Sequence, residues 1–68
     1  MQQYFFILSE DQYKYYSSHL HSILFHNDMV WYENYKDAKN EIDSLRIMYP
    51  EKKMKIYALF TTLNEVKE

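Results

Sequence analysis

The sequence predicts a small α+β or α/β domain in which a three-stranded sheet carries two helices, in the order β-α-β-α-β. Three observations predict it: short apolar runs typical of strands, capped segments with apolar residues at helical spacing, and the absence of glycine. Tight primed hairpins depend on glycine, so its absence favours connections that run through helices. A chain of 68 residues has room for one domain, covering residues 1–68.

The first part of the chain predicts a central strand followed by a helix. Tyr4–Leu8 is a short run of aromatic and branched residues, which is typical of a strand buried on both sides. Ser9 and Gln12 have the spacing of a capping box, so a helix is expected to start there. Helical spacing then continues to Phe25, although two serines in the middle compete for backbone hydrogen bonds. In an alternative order, β-β-β-α-β, short strands replace this helix.

The second part predicts a turn, a strand, a helix and a last strand. His26-Asn27-Asp28 suits a turn because Asn and Asp tolerate left-handed backbone geometry. Met29–Tyr32 is typical of a strand. Asn34 is a good cap for the second helix, which Pro50 ends. Lys52–Leu63 is expected to form the final strand, and its second apolar face suggests contact with a partner.

The composition predicts a folded protein that needs support from aromatic packing and association. With 47% hydrophobic residues, 26% charged residues and a net charge of −2, the chain is too apolar for disorder. A domain this small buries only about 60% of its unfolded surface. Without cysteine it has neither disulfides nor thiolate metal sites. Its many tyrosines suit a contact surface, and the open strand edges of a small sheet lead us to expect a homodimer.

The residue patterns give no indication of catalysis or of a cofactor. The chain has no glycine-rich phosphate loop and no cysteine nucleophile, and its serines lack a recognisable base arrangement. His19, His21 and His26 are candidate metal ligands, but on a helix His19 and His21 point about 200° apart. Histidines on the surface and in a turn are the simpler interpretation. We therefore expect neither enzymatic activity, nor a cofactor, nor a metal.

A basic stretch supplies the alternative functional hypothesis, which is nucleic-acid binding. Lys52, Lys53 and Lys55 lie close to Tyr57, and lysines beside an aromatic ring are typical of surfaces that bind single strands. Lysines also protect an edge strand from aggregation, which needs no ligand. The acidic net charge favours this simpler interpretation.

The N-terminal region indicates a cytoplasmic protein without a membrane segment. The apolar run Tyr4–Leu8 has no basic residues before it, and it is too short for a signal core or a membrane span. The absence of cysteine agrees with a reducing compartment.

Three segments of the C-terminal half form a loose motif: a tryptophan followed by an Asp-Ala-Lys helix, a Tyr-Pro pair and a strand. They are Trp31–Lys39, Met48–Pro50 and Lys53–Tyr57. This motif resembles small early proteins of tailed, T4-like bacteriophages, and the Tyr-, Lys-, Asn- and Ile-rich composition is similar to that of AT-rich phage genomes. The resemblance implies a host-directed protein that disables a polymerase, a nuclease or an immune effector such as a CRISPR effector. It specifies no active site.

The leading hypothesis is a non-enzymatic protein-binding module, a phage-encoded inhibitor of a host or defence protein. Binding is expected through aromatic contacts and through strand addition along Met54–Thr61. The expected contact residues are Tyr15, Trp31, Tyr32, Lys53, Lys55, Tyr57 and Leu59. A small structural or regulatory domain, such as an antitoxin-like partner, is a third interpretation.

Overall fold

The computed structural model describes residues 3–25 and 30–68, which form a four-stranded antiparallel sheet with three helices. The strands are β1 (Tyr4–Ser9), β2 (Trp31–Tyr32), β3 (Met54–Leu59) and β4 (Leu63–Glu65). The helices are α1 (Glu10–Ser18), α2 (Leu20–Phe25) and α3 (Tyr35–Met48). The general class is the predicted one, but the sheet has one strand more and the chain one helix more than expected. The predicted turn His26-Asn27-Asp28 and the neighbouring Met29 lie outside the described residues.

The strand order is β2-β1-β3-β4, and every neighbouring pair is antiparallel. The apolar run of β1 therefore lies at the centre of the sheet, as its composition predicts. Because β2 and β3 both run opposite to β1, they run in the same direction on either side of it. Helix α3 connects these two strands and crosses the sheet over β1.

The predicted final strand, Lys52–Leu63, is wrong in its bounds because the chain turns at Phe60–Thr62. This turn separates β3 from β4, which pair as a hairpin with Leu59 opposite Leu63. The Phe60 N–H donates to the Thr62 carbonyl at 3.1 Å. None of the described residues has a positive backbone φ, so this hairpin forms without the conformation for which glycine is needed.

The predicted helix that starts after Ser9 is confirmed at its cap but is interrupted at His19. The Ser9 hydroxyl accepts a hydrogen bond from the Gln12 N–H at 3.3 Å, and the Gln12 side chain accepts from the Ser9 N–H at 2.9 Å. The Ser17 hydroxyl donates to the Lys14 carbonyl, which is the competition expected from serine. Two helices follow one another here, so the alternative of short strands is wrong.

Helix α3 begins and ends where the sequence predicts. The Asn34 side chain accepts a hydrogen bond from the Asp37 N–H at 3.0 Å, which satisfies one free donor at the helix start. The last helical residue is Met48, and Tyr49 caps the end immediately before Pro50.

Each face of the sheet is covered by helices of the same chain. On one face α1 and α2 cover a cluster whose buried members are Phe6, Leu8, Tyr16, Ile23, Tyr57, Leu59 and Leu63. On the other face α3 covers a smaller cluster of Ala38, Ile42 and Ile56, against which Phe5 and Ile7 pack. The second apolar face of β3 therefore packs inside the molecule, and it does not require a partner.

The C-terminal residues hold α3 against the end of the sheet. The Val66 N–H donates to the Ile56 carbonyl at 2.8 Å. The Glu68 carboxylate accepts two hydrogen bonds of 2.7 Å from Arg46 and lies 3.2 Å from the Lys39 ammonium. Arg46 also donates to the Met54 carbonyl at 3.1 Å, so one side chain connects the helix, β3 and the tail. None of the described helices is both long and apolar enough to cross a membrane.

Candidate interaction surfaces

The structure places the seven predicted contact residues at three separate sites. Trp31 and Tyr32 lie on the edge strand β2, and Tyr15 lies on α1. The remaining four residues lie on β3 or immediately before it. The predicted set is therefore not one continuous surface.

We call the exposed strip at β2 the edge surface and define it as Tyr4, Val30 and Trp31. Val30 is 63% exposed and Trp31 is 44% exposed. The Tyr4 and Trp31 rings meet edge to face, with centroids 4.9 Å apart and planes at 88°. This contact fixes the tryptophan ring while much of it remains open to solvent. Among the described strands β2 pairs with β1 alone, so none of them covers its outer edge.

Tyr32, the other residue of β2, belongs to the interior more than to the surface. It is half-buried and packs against the cluster under α3. Burial raises the pKa of the Tyr32 hydroxyl, and the negative charge of Glu41 raises it further. The hydroxyl therefore stays protonated at neutral pH and can donate a hydrogen bond.

Tyr15 is exposed, as expected, but it takes part in the helix interruption at His19. Its ring stacks on the His19 imidazole at 4.4 Å and meets the Tyr16 ring edge to face at 5.1 Å. The His19 Nδ1 lies 2.9 Å from the Tyr15 carbonyl oxygen. These contacts give Tyr15 a local structural role besides its exposure of 53%.

Tyr57 and Leu59 are core residues, with exposures of 5% and 6%. Both rest on the cluster under α1 and α2, so the Tyr57 ring and the Leu59 side chain offer almost no apolar surface to a partner protein. Strand addition to β3 would have to displace β4 from Tyr57–Leu59, because β1 already pairs with the other side of β3 from Met54 to Leu59. Alternation along the chain predicted that β3 is a strand, but it did not show which strands would flank it.

Lys53 and Lys55 lie at a cleft between α1 and the β3–β4 hairpin, which we call the α1–β3 cleft. Its volume is about 340 Å³. The lining residues are Glu10, Tyr13, Lys14, Lys53, Lys55, Tyr57 and Glu65. The Tyr13 and Tyr57 rings stack at 4.5 Å with planes 11° apart. Residues from the first helix and the last hairpin therefore meet here. Because these residues are far apart in the sequence, the sequence alone did not predict their contact.

Charged pairs flank the stacked tyrosines of this cleft. Lys14 lies 3.7 Å from Glu10, and Lys55 lies 3.3 Å from Glu65. Burial raises the pKa of the Tyr57 hydroxyl, and the charges of Glu65, Tyr13 and Glu10 raise it further. The hydroxyl is therefore a hydrogen-bond donor at neutral pH.

The sequence did not predict that the apolar residues at the end of α3 are exposed. Ile47 is 82% exposed, Met48 is 59% exposed and Tyr49 is 43% exposed. Phe60, in the hairpin turn, is 48% exposed. Helical periodicity could have predicted the exposure of Ile47, because this residue does not lie on the helix face that Ala38 and Ile42 bury.

The described part of the chain contains no group of three or more residues suited to bind a metal ion. His19 is engaged with Tyr15, and His26 lies outside the described residues.

No protein-family model, no curated protein and no solved structure matches this chain. Functional inference therefore depends on the chain's own residues.

Proposed function

We propose that the protein is a non-enzymatic protein-binding module that docks through the edge surface. The observation that supports this proposal is the exposure of Trp31 and Val30 on an open strand edge, although the protein's own helices cover both sheet faces. Tryptophan is the side chain most often dominant in binding hot spots. An open strand edge adds main-chain hydrogen bonds to such a contact.

The proposed partner is a host or defence protein in the cytoplasm of a bacterial cell. This part of the proposal comes from the resemblance of Trp31–Lys39, Met48–Pro50 and Lys53–Tyr57 to early phage proteins. In this proposal Trp31 belongs to both the motif and the edge surface. In the absence of the partner, we propose that two copies pair as a homodimer through the same edge.

The experiment compares two aromatic residues of nearly equal exposure. Trp31 and Tyr49 are 44% and 43% exposed, and they lie at β2 and at the end of α3. After a partner has been retained from lysate and identified, its affinity is measured for the natural chain, Trp31→Ala and Tyr49→Ala. We expect Trp31→Ala to weaken binding more than tenfold and Tyr49→Ala to leave it nearly unchanged. Equal losses, or full binding by Trp31→Ala, would contradict the proposal.

Nucleic-acid binding remains the second candidate, because Lys53 and Lys55 line the α1–β3 cleft. The buried Tyr57 ring cannot stack on a base, which removes the aromatic part of the predicted surface. Lys52 lies 5.0 Å from the centre of the Tyr49 ring and lines, together with Lys53, a hollow next to this cleft. The test is a gel-shift titration with single-stranded DNA, started at low salt and repeated at higher salt. An affinity that falls steeply with salt and requires Lys53 would favour nucleic-acid binding.

A further inference from the structure

We propose that the α1–β3 cleft binds a phosphate monoester of a small molecule, with Lys53 as the main contact and Lys14 and Lys55 beside it. The cleft is separate from the edge surface, so this inference is independent of the proposed docking function. Its volume of about 340 Å³ is at the lower end of the range of small-molecule sites.

The first argument is the excess of hydrogen-bond donors over acceptors in the lining. Three ammonium groups supply three N–H donors each, and the two tyrosine hydroxyls can also donate. The acceptors are the two carboxylates, and each is already within 4 Å of a lysine. The lining therefore carries more hydrogen-bond donors than acceptors, which suits an anion that accepts several hydrogen bonds.

The second argument is the position of Lys53. A neighbouring hollow of about 470 Å³, lined also by Ser9, Gln12, Lys52 and Met54, shares Lys53 with the α1–β3 cleft. Within the described residues Lys53 has no ion pair, whereas Lys14 and Lys55 are paired. An anion at the junction of the two hollows would meet a cation that has no competing carboxylate.

The third argument concerns the carboxylates, which at first sight oppose an anion. Glu65 on the neighbouring strand accepts a hydrogen bond of 3.3 Å from Lys55, and Glu10 lies 3.7 Å from Lys14 one helical turn away. The hydrogen bond from Lys55 keeps this lysine at the rim of the cleft before a ligand arrives, which lowers the cost of ordering it on binding. Lysine acts as a point charge toward phosphate, whereas planar carboxylates are better matched by the arginine fork. A tetrahedral dianion therefore fits this lining better than a single carboxylate.

The test is an NMR titration of the full chain with adenosine monophosphate, adenosine and inorganic phosphate as probes. We expect the monophosphate and inorganic phosphate to cause saturable shifts at the amides of Tyr13, Lys53 and Lys55. Adenosine, which lacks only the phosphate, should cause none at these positions. Lys53→Ala should weaken monophosphate binding about tenfold, because it removes the unpaired cation.

The matched control is Lys36→Ala, which changes an exposed lysine on α3, across the sheet from the cleft. We expect it to leave the affinity unchanged, and thermal melting should show that both variants fold. The proposal would be overturned if adenosine shifted the same amides, or if none of the probes caused a saturable shift. It would also be overturned if the two variants weakened monophosphate binding equally. Tighter binding of an oligonucleotide without a terminal phosphate at the same amides would also overturn it, in favour of nucleic-acid binding.

Discussion

Glu68 is held by two cations on α3, and this contact makes the stability of the fold dependent on pH. The pKa of Glu68 is lowered from 4.5 to about 2, chiefly by the hydrogen bonds from Arg46 and also by Lys39. Partial burial of the carboxyl opposes this by raising the pKa. A carboxyl whose folded pKa is lowered stabilises the fold above its unfolded pKa. That stabilisation is lost as the pH falls from about 5 toward 2.

The first prediction is that Glu68→Gln lowers the free energy of unfolding by about 1 kcal/mol at pH 7 and by less at pH 3. The estimate is small because the paired side chains are 22% to 37% exposed, and solvent screens them. Urea unfolding at both pH values measures it. Glu51→Gln is the control, since Glu51 is an exposed residue in the turn after α3. An equal loss at the two pH values would contradict the assignment of this pKa.

Single residues of the candidate site were predicted with mixed success. Tyr15 and Trp31 are exposed as expected. Tyr57 and Leu59 are buried, because the helices above them are supplied by a distant part of the chain. No pattern local to β3 contains that information.

At the scale of elements, helix α3 has one face in the core and another in solvent. Ile42 is fully buried against Ile56, whereas Ile47, five residues later on the same helix, is 82% exposed. Helical geometry places these two positions on different faces. The same chemical change therefore has different consequences at the two sites.

The second prediction compares Ile42→Val with Ile47→Val. Removing one methylene from the packed site should lower the free energy of unfolding by about 1 kcal/mol. At the exposed site the change should be within about 0.5 kcal/mol. Chemical denaturation measures both variants. A loss at Ile47 equal to that at Ile42 would mean that the end of α3 is covered in solution, and the described fold would not explain it.

The elements that local chemistry determines were the ones predicted well. Ser9 with Gln12, Asn34 and Pro50 mark helix ends through hydrogen bonds or steric limits that lie within a few residues. The β3–β4 hairpin was missed because its turn carries no glycine. The interruption at His19 was missed because its stabilising contact, a ring stacked on Tyr15, is not a recognised stop signal.

At the scale of the whole molecule, the sheet is enclosed by its own helices, yet apolar side chains remain at its margin. The three layers bury residues from every strand except β2, whose Trp31 and neighbouring Val30 remain exposed. For a domain of 68 residues, association adds burial that a small core lacks. The sequence predicted a need for association. The order of strands, which follows from long-range pairing, determined that β2 and β4 are the two edge strands.

Trp31 is the single tryptophan of the chain, so its fluorescence reports on the edge surface without interference from another indole. The most direct measurement is the quenching of this fluorescence by acrylamide, in the free protein at low concentration and in the purified complex with its partner. We expect efficient quenching in the free protein and strong protection in the complex, because docking would cover the exposed part of the ring. Unchanged quenching in a stable complex would contradict the central claim that the β2 edge is the docking surface.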